Sequence, residues 1–263
     1  VFPPGSASLP DAVAAHREHR AAWYAPMVGP LLLPPSAVDN LPALLAPGQS
    51  VTVALVGDLE TVRRTAGALA DIPEIAVAHV ECPVAKRGED PSPGLRALLS
   101  TGFDGYAEIP VTWGLLAALD DLARARAAGA RVAPKFRTGG LAAELFPTPI
   151  ELAAVMCACH ERGLPFKLTA GLHHAIRHAD PETGFVHHGF LNVLTAALLA
   201  DEGAEAAAVA EVLAGTDPVP LVEAVRADLN RQRPLWIGFG TCSIAEPLGD
   251  LRQLGLLTSE APA

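Results

Sequence analysis

The chain has 263 residues, 50 % of them apolar and 18 % charged, and a formal net charge of −10. That length holds one large α/β domain or two small ones, and the composition is that of a compact globular protein, neither disordered nor fibrous. The acidic balance argues against nonspecific nucleic-acid or anionic-membrane binding, which need basic faces, and leaves room for a local basic pocket that takes a small anion.

In chain order, the first eight or so residues read as loose, and VFPPGSASLP lacks the basic and apolar regions of a secretory signal. An amphipathic helix is expected at 10–23 and a first strand within MVGPLLLPP (27–35). Then come short apolar runs that each stop at a polar residue: SVTVALVGD at Asp58, IAVAHVE at Glu81, FDGYAE at Glu108, ARVAPK at Lys135 and LPFK at Lys167. Successive stops lie 23, 27, 27 and 32 residues apart, the length of one strand, one helix and two loops. Helix-like segments fill the gaps: LETVRRTAGALAD, SPGLRALLS, TWGLLAALDDLARARAAG and TPIELAAVMCACHERG. The last opens on Thr148, Pro149 and Glu151 and closes on Gly163, good start and stop chemistry for a helix.

Residues 179–233 read as mostly helical, with no strand placed among them. Their apolar run GFLNVLTAALLA (189–200) is too short to span a bilayer and reads as a buried helix. PLWIGFGTCS (234–243) is the last strand, and TSEAPA (258–263) a loose tail. Strands without polar alternation, interleaved with helices, imply a parallel sheet covered by helices. Seven strands in one domain fit an α/β fold of the (β/α)8 TIM-barrel type, irregular in its seventh unit, ahead of a doubly wound open sheet. The protein is expected to be soluble and cytoplasmic, with no membrane or nucleic-acid partner; a homo-oligomer is compatible with the sequence. Four cysteines (Cys82, Cys157, Cys159, Cys242) show no C-x-x-C pair or zinc-finger spacing, so reduced thiols are expected.

In a (β/α) barrel the catalytic groups sit at the C-terminal ends of the strands. Asp58, Glu81, Glu108, Lys135 and Lys167 are therefore expected to ring one mouth, with Cys242 and its loop beside them. Lysine is scarce here: Lys86, Lys135 and Lys167 stand against sixteen arginines. Two lysines on adjacent parallel strands lie about 5 Å apart at the backbone. In a partly desolvated mouth each destabilises the other's ammonium form and lowers its pKa. A neutral lysine amine forms a Schiff base with a carbonyl compound, which an arginine cannot do. Glu108 and Glu81 would move the protons. The turns TGG (138–140) and FGTCS (239–243), with Arg137, could present donors to a phosphate or carboxylate. Arg137, Gly139, Gly140, Thr241 and Cys242 are thus candidates for binding a small-molecule substrate.

KFRTGG, followed about thirty residues later by FKLTAGLHHAIR, resembles the paired strand motifs of class I aldolases of the deoxyribose-phosphate aldolase group. In that group a Lys-x-Ser-Thr-Gly strand end carries the Schiff-base lysine, and the next strand, Lys-x-x-Gly-Gly-x-Arg, carries the lysine that lowers its pKa. The resemblance implies Lys135 as nucleophile and Lys167 as its electrostatic partner, with Arg177 near the family's arginine. IGFGTCS (237–243) is similar to the family's last strand, whose loop helps hold a phosphate. The likeness covers about residues 131–178 and 237–243. The double histidine, the helical stretch 186–231 and the missing second glycine after Ala170 depart from the pattern. What it implies is a lysine-dependent, aldolase-type lyase without cofactor or metal.

The histidines carry the rival expectation. His173, His174, His178, His187 and His188 fall within sixteen residues, and His174 and His178 have the i, i+4 spacing that can share a metal on a helix. With Asp58, Glu81 or Glu108 they would make a metal-dependent lyase or hydrolase. Equally, His173 could act as an acid or base and His174 as a hydrogen-bond donor to substrate. A third expectation is a non-catalytic small-anion binder, in which both lysines are plain charge partners of Glu81 and Glu108.

Overall fold

A computed structural model describes residues 7–228 and 231–257. Of the loose N-terminus expected over about residues 1–8, residues 1–6 lie outside the described residues, as does the tail 258–263, whereas Ser8 caps the first helix, accepting from Asp11 N. The elements are α1 (Leu9–Ala21), β1 (Leu31–Leu33), β2 (Val51–Val56), α2 (Leu59–Leu69), β3 (Ile75–Pro83), α3 (Ser92–Leu99), β4 (Gly105–Glu108) and α4 (Leu115–Ala127). They continue with β5 (Val132–Arg137), α5 (Pro149–Glu161), β6 (Phe166–Thr169), β7 (His178–Ala179) and β8 (Val186–His187). The chain then runs through α6 (Phe190–Asp201), α7 (Ala206–Ala214), α8 (Pro218–Ala227), β9 (Trp236–Gly240) and α9 (Ala245–Gln253).

Seven strands form one parallel sheet in the order β1-β2-β3-β4-β5-β6-β9. The order never reverses, so the doubly wound alternative is wrong. On one face Leu55, Val80, Cys82, Ala107, Phe136 and Leu168 are fully buried. Val62 and Leu69 of α2, Leu95 and Leu98 of α3, Leu119 and Leu122 of α4 and Leu152 and Met156 of α5 are buried with them in one core. The helices thus cover one side of the sheet. α5 starts as its sequence indicates: Thr148 Oγ1 accepts from Glu151 N while the Glu151 carboxylate accepts from Thr148 N, a complete capping box with Pro149 in the first turn.

The other face is concave. Glu81 on β3 touches Lys167 on β6, three strands along. In a flat sheet those strands would be about 14 Å apart, so the contact requires strong curling. A Cβ added to Gly240 on β9 would lie 3.7 Å from Leu32 Cδ2 on β1, so the two edges also approach each other. Yet β1 and β9 are not paired among the described residues, and no eighth strand joins the sheet. The expected closed (β/α)8 barrel is therefore replaced by a curled, TIM-like half-barrel. The reason lies between β6 and β9, which pair directly. The intervening chain forms a small antiparallel hairpin, β7 with β8, and three helices, in which α7 packs on α5 and α6. No described helix is long and apolar enough to cross a membrane.

Candidate active site

Strand pairing sets Glu108 opposite Lys135, Lys135 opposite Lys167, and Glu81 opposite Tyr106 one pleat lower. Side chains alternate faces with a period of two, so all five share the concave face. Lys135, 1 % exposed, donates to Glu81 Oε2 at 3.0 Å and lies 2.7 Å from Glu108 Oε2. Lys167, 7 % exposed, pairs with the other Glu81 oxygen, and its Nζ lies 4.9 Å from the centre of the Tyr106 ring. His79 Nε2 is 3.0 Å from that same oxygen. Arg137 grips Glu108 Oε1 from the outer side, through Nε at 3.1 Å and Nη2 at 3.0 Å. Lys135, Lys167 and Arg137 against Glu81 and Glu108 leave one positive charge in excess, which favours an anionic ligand.

The two lysines depend on one fully buried carboxylate. A buried ammonium without a counter-charge costs several kcal/mol, and Glu81 offsets that cost twice. Burial pushes the Glu81 carboxyl up, but the His79 hydrogen bond and the charges of Lys135 and Lys167 more than reverse this and hold it far below the usual carboxylate range. Glu108 shows the same balance, with burial opposed by Lys135 and Arg137 and a net lowering. Burial lowers the Lys167 pKa, Glu81 opposes this, and the Lys135 charge adds to the lowering.

Other expected site residues do different work. Asp58 lies beyond the end of β2 and is exposed; its carboxylate accepts from Thr61 N at 2.9 Å and Thr61 Oγ1 at 2.8 Å, capping α2. It is a helix cap and does not join the ring of charges. A Cβ on Gly139 would lie 3.1 Å from Gly171 Cα, a tight backbone approach, and one on Gly140 would lie 2.4 Å from Leu145 Cδ1, so both glycines sit in close packing. Thr138 donates its hydroxyl to the Thr169 and Ala170 carbonyls, tying the ends of β5 and β6 together where Ala170 adopts φ 62°. Thr241 Oγ1 donates to Ser243 O at 2.9 Å inside its own turn.

The histidine rings of His174, His178 and His187 touch in series, with centroids 4.7 Å and 5.3 Å apart, but their nitrogens are engaged by separate partners. His173 Nδ1 is 2.7 Å from Glu246 Oε2, and His174 Nδ1 is 3.3 Å from Asp250 Oδ2 one turn further along α9. His178 meets Ile176 O and His187 meets Gly171 O, their rings stacked across the β7–β8 hairpin. Buried His188 donates from Nε2 to Pro147 O at 2.8 Å while Nδ1 faces Arg177 Nη1 at 3.4 Å; burial pushes its imidazole down to about 4. Arg177 N donates to the buried Asn192, so this arginine anchors a loop. Among the described residues no three His, Cys, Asp or Glu side chains are grouped to hold a metal ion.

His79 and Tyr106 were absent from the sequence expectation. Each lies two residues before a glutamate already singled out, on the same face of the same strand, so the period of two pointed to them. A cavity of about 350 Å³ lies between α2, β3 from Ile75 to Val80 and the loop residues Gly102, Phe103 and Asp104 that lead into β4. His79, which lines it, bonds Glu81 through Nε2. No protein-family model, curated protein or solved structure matches the chain.

Proposed function

We propose that the protein is a lysine-dependent lyase of aldolase type that forms a Schiff base with a small, anionic carbonyl substrate. The observation that carries this reading is a single buried carboxylate, Glu81, shared by two lysines that face each other on adjacent strands. Lys167 is the better nucleophile of the two. It has one carboxylate partner where Lys135 has two, it is the more exposed, and burial lowers its pKa. Lys135 is then the neighbouring cation that disfavours the Lys167 ammonium, which reverses the roles implied by the aldolase resemblance.

Glu81 takes the proton from Lys167 Nζ and returns it to the carbinolamine hydroxyl, which leaves as water. The resulting iminium accepts the electron pair of the cleaving C–C bond and becomes an enamine. Glu108 takes the hydroxyl proton of the departing aldehyde, and a proton on the enamine carbon followed by water restores the amine. Arg137, 41 % exposed at its side chain, is the donor for the substrate's anionic group.

A second reading, anion binding without chemistry, draws on the same ion pairs. Borohydride separates the two. Incubation with short aldehydes and 2-oxo acids plus borohydride should leave one substrate mass on Lys167, and Lys167→Arg should abolish it while keeping the charge. No adduct on either lysine, with a compound that the protein turns over, would exclude the Schiff base.

A further inference from the structure

Cys242 lies two residues beyond β9, exposed, in the turn that leads into α9. Its Sγ is 3.6 Å from His173 Nε2 and 4.0 Å from His173 Nδ1. Glu246, in the first turn of α9, holds the far side of that ring, Oε2 to Nδ1, at 2.7 Å. One turn on, Asp250 accepts from Ala175 N at 2.7 Å and meets His174, so α9 fastens the loop after β6 through two carboxylates. The imidazole beside the sulfur is therefore fixed from behind. The other three cysteines are placed differently. Burial pushes the thiols of Cys82 and Cys159 up to about 12 and also raises that of Cys157.

We propose that Cys242, His173 and Glu246 form a nucleophilic thiol centre at the rim of the half-barrel, which takes an acyl group from an activated ester or thioester and hydrolyses it. Cys242 and, after it, Glu246 raise the His173 imidazole to about 9 against the lowering from burial, and a thiol beside an imidazolium is favoured as its thiolate. The thiolate attacks the acyl carbon and forms the C–S bond. The bond to the leaving alcohol or thiol breaks, and the leaving group departs with the proton from His173. Neutral His173 then takes a proton from water as the oxygen attacks the S-acyl carbon; the carboxylic acid leaves, and the thiolate–imidazolium pair is restored. Glu246 is a positioning residue: it acts through the ring. The titratable groups that interact with His173 are Cys242, Glu246 on α9 and His187 on β8, whose own pKa burial lowers.

This centre is independent of the lysine chemistry, and the two leave adducts on different residues. The test uses the full chain with iodoacetamide and 4-nitrophenyl acetate, read by peptide mass mapping and nitrophenolate release. Iodoacetamide should modify Cys242 ahead of the other three cysteines, at a rate that stays nearly flat below the ordinary thiol pKa of about 8.5. 4-Nitrophenyl acetate should give a burst of about one nitrophenolate per chain and an acetyl group on Cys242, both lost in Cys242→Ser. His173→Asn should return alkylation to an ordinary thiol profile, slower by roughly tenfold near pH 6.5. Glu246→Gln should shift that profile upward, and Glu246→Asp should restore it in part. Label spread over several cysteines, an ordinary alkylation profile for Cys242, no acetyl group on Cys242, or a burst that survives Cys242→Ser would each overturn the proposal.

Discussion

Replacing Glu81 with glutamine keeps the shape of the side chain and removes the charge that Lys135 and Lys167 share. Both ammonium groups are buried, and removing one partner of a buried ion pair costs roughly 3–5 kcal/mol. That is a large part of the roughly 5–15 kcal/mol that holds a domain together, and should lower the melting temperature by about 10 °C. Urea unfolding of both proteins at pH 7 and pH 3.5 measures the difference and its sign. The folded-state Glu81 carboxyl titrates below its ordinary value of 4.5, so its stabilisation is fully present above 4.5 and is lost as pH falls towards the folded-state value. Below 4.5 the gap between wild type and Glu81→Gln should therefore shrink by about 1.4 kcal/mol per pH unit. A loss under about 1 kcal/mol at pH 7, or an equal gap at both pH values, would refute the picture of two lysines dependent on one carboxylate.

Two further outcomes follow from buried groups. Lys167 has a folded-state pKa below its ordinary 10.5, so its destabilising charge is relieved as pH rises through the folded value; wild type should gain stability relative to Lys167→Met between neutrality and pH 10.5 in urea titrations. Asn192 accepts from Arg177 N and donates to Val212 O and Gly215 O, at 2.9, 2.9 and 2.8 Å. Asn192→Ala leaves three backbone groups without that partner and should cost about 3 kcal/mol in the same assay; a cost under about 1 kcal/mol would mean that water reaches them.

The strands of the main sheet were legible because each shows as a short apolar run that stops at a polar residue, and the seven runs expected are its seven strands; the β7–β8 hairpin was not expected. Closure was not legible. It depends on the chain between β6 and β9, which adds no strand to the sheet, and on how the three-residue β1 meets β9, and neither edge carries a mark of its pairing. The four members of the cluster stood out by even spacing, and Asp58 was swept in with them. DLET, with Thr61 three residues after Asp58, is a cap signature that separates it. Glu246 had no local signal at all, since 73 residues separate it from His173.

The order of charges along the sheet explains why the cluster and the curl belong together. β3 and β4 carry carboxylates, while β5 and β6 carry lysines. In a flat sheet Glu108 and Lys135 would be the one oppositely charged pair of the four set directly across adjacent strands. Glu81 would face another acid's strand and Lys167 another base's strand, each a charge without its partner. Curling the sheet brings β3 across to β5 and β6, and one carboxylate then satisfies both lysines. The lysines' burial is thus a consequence of curvature. Curvature in turn leaves the concave face polar while the apolar face turns outward to the helices, so the site and the layering arise from the same bend.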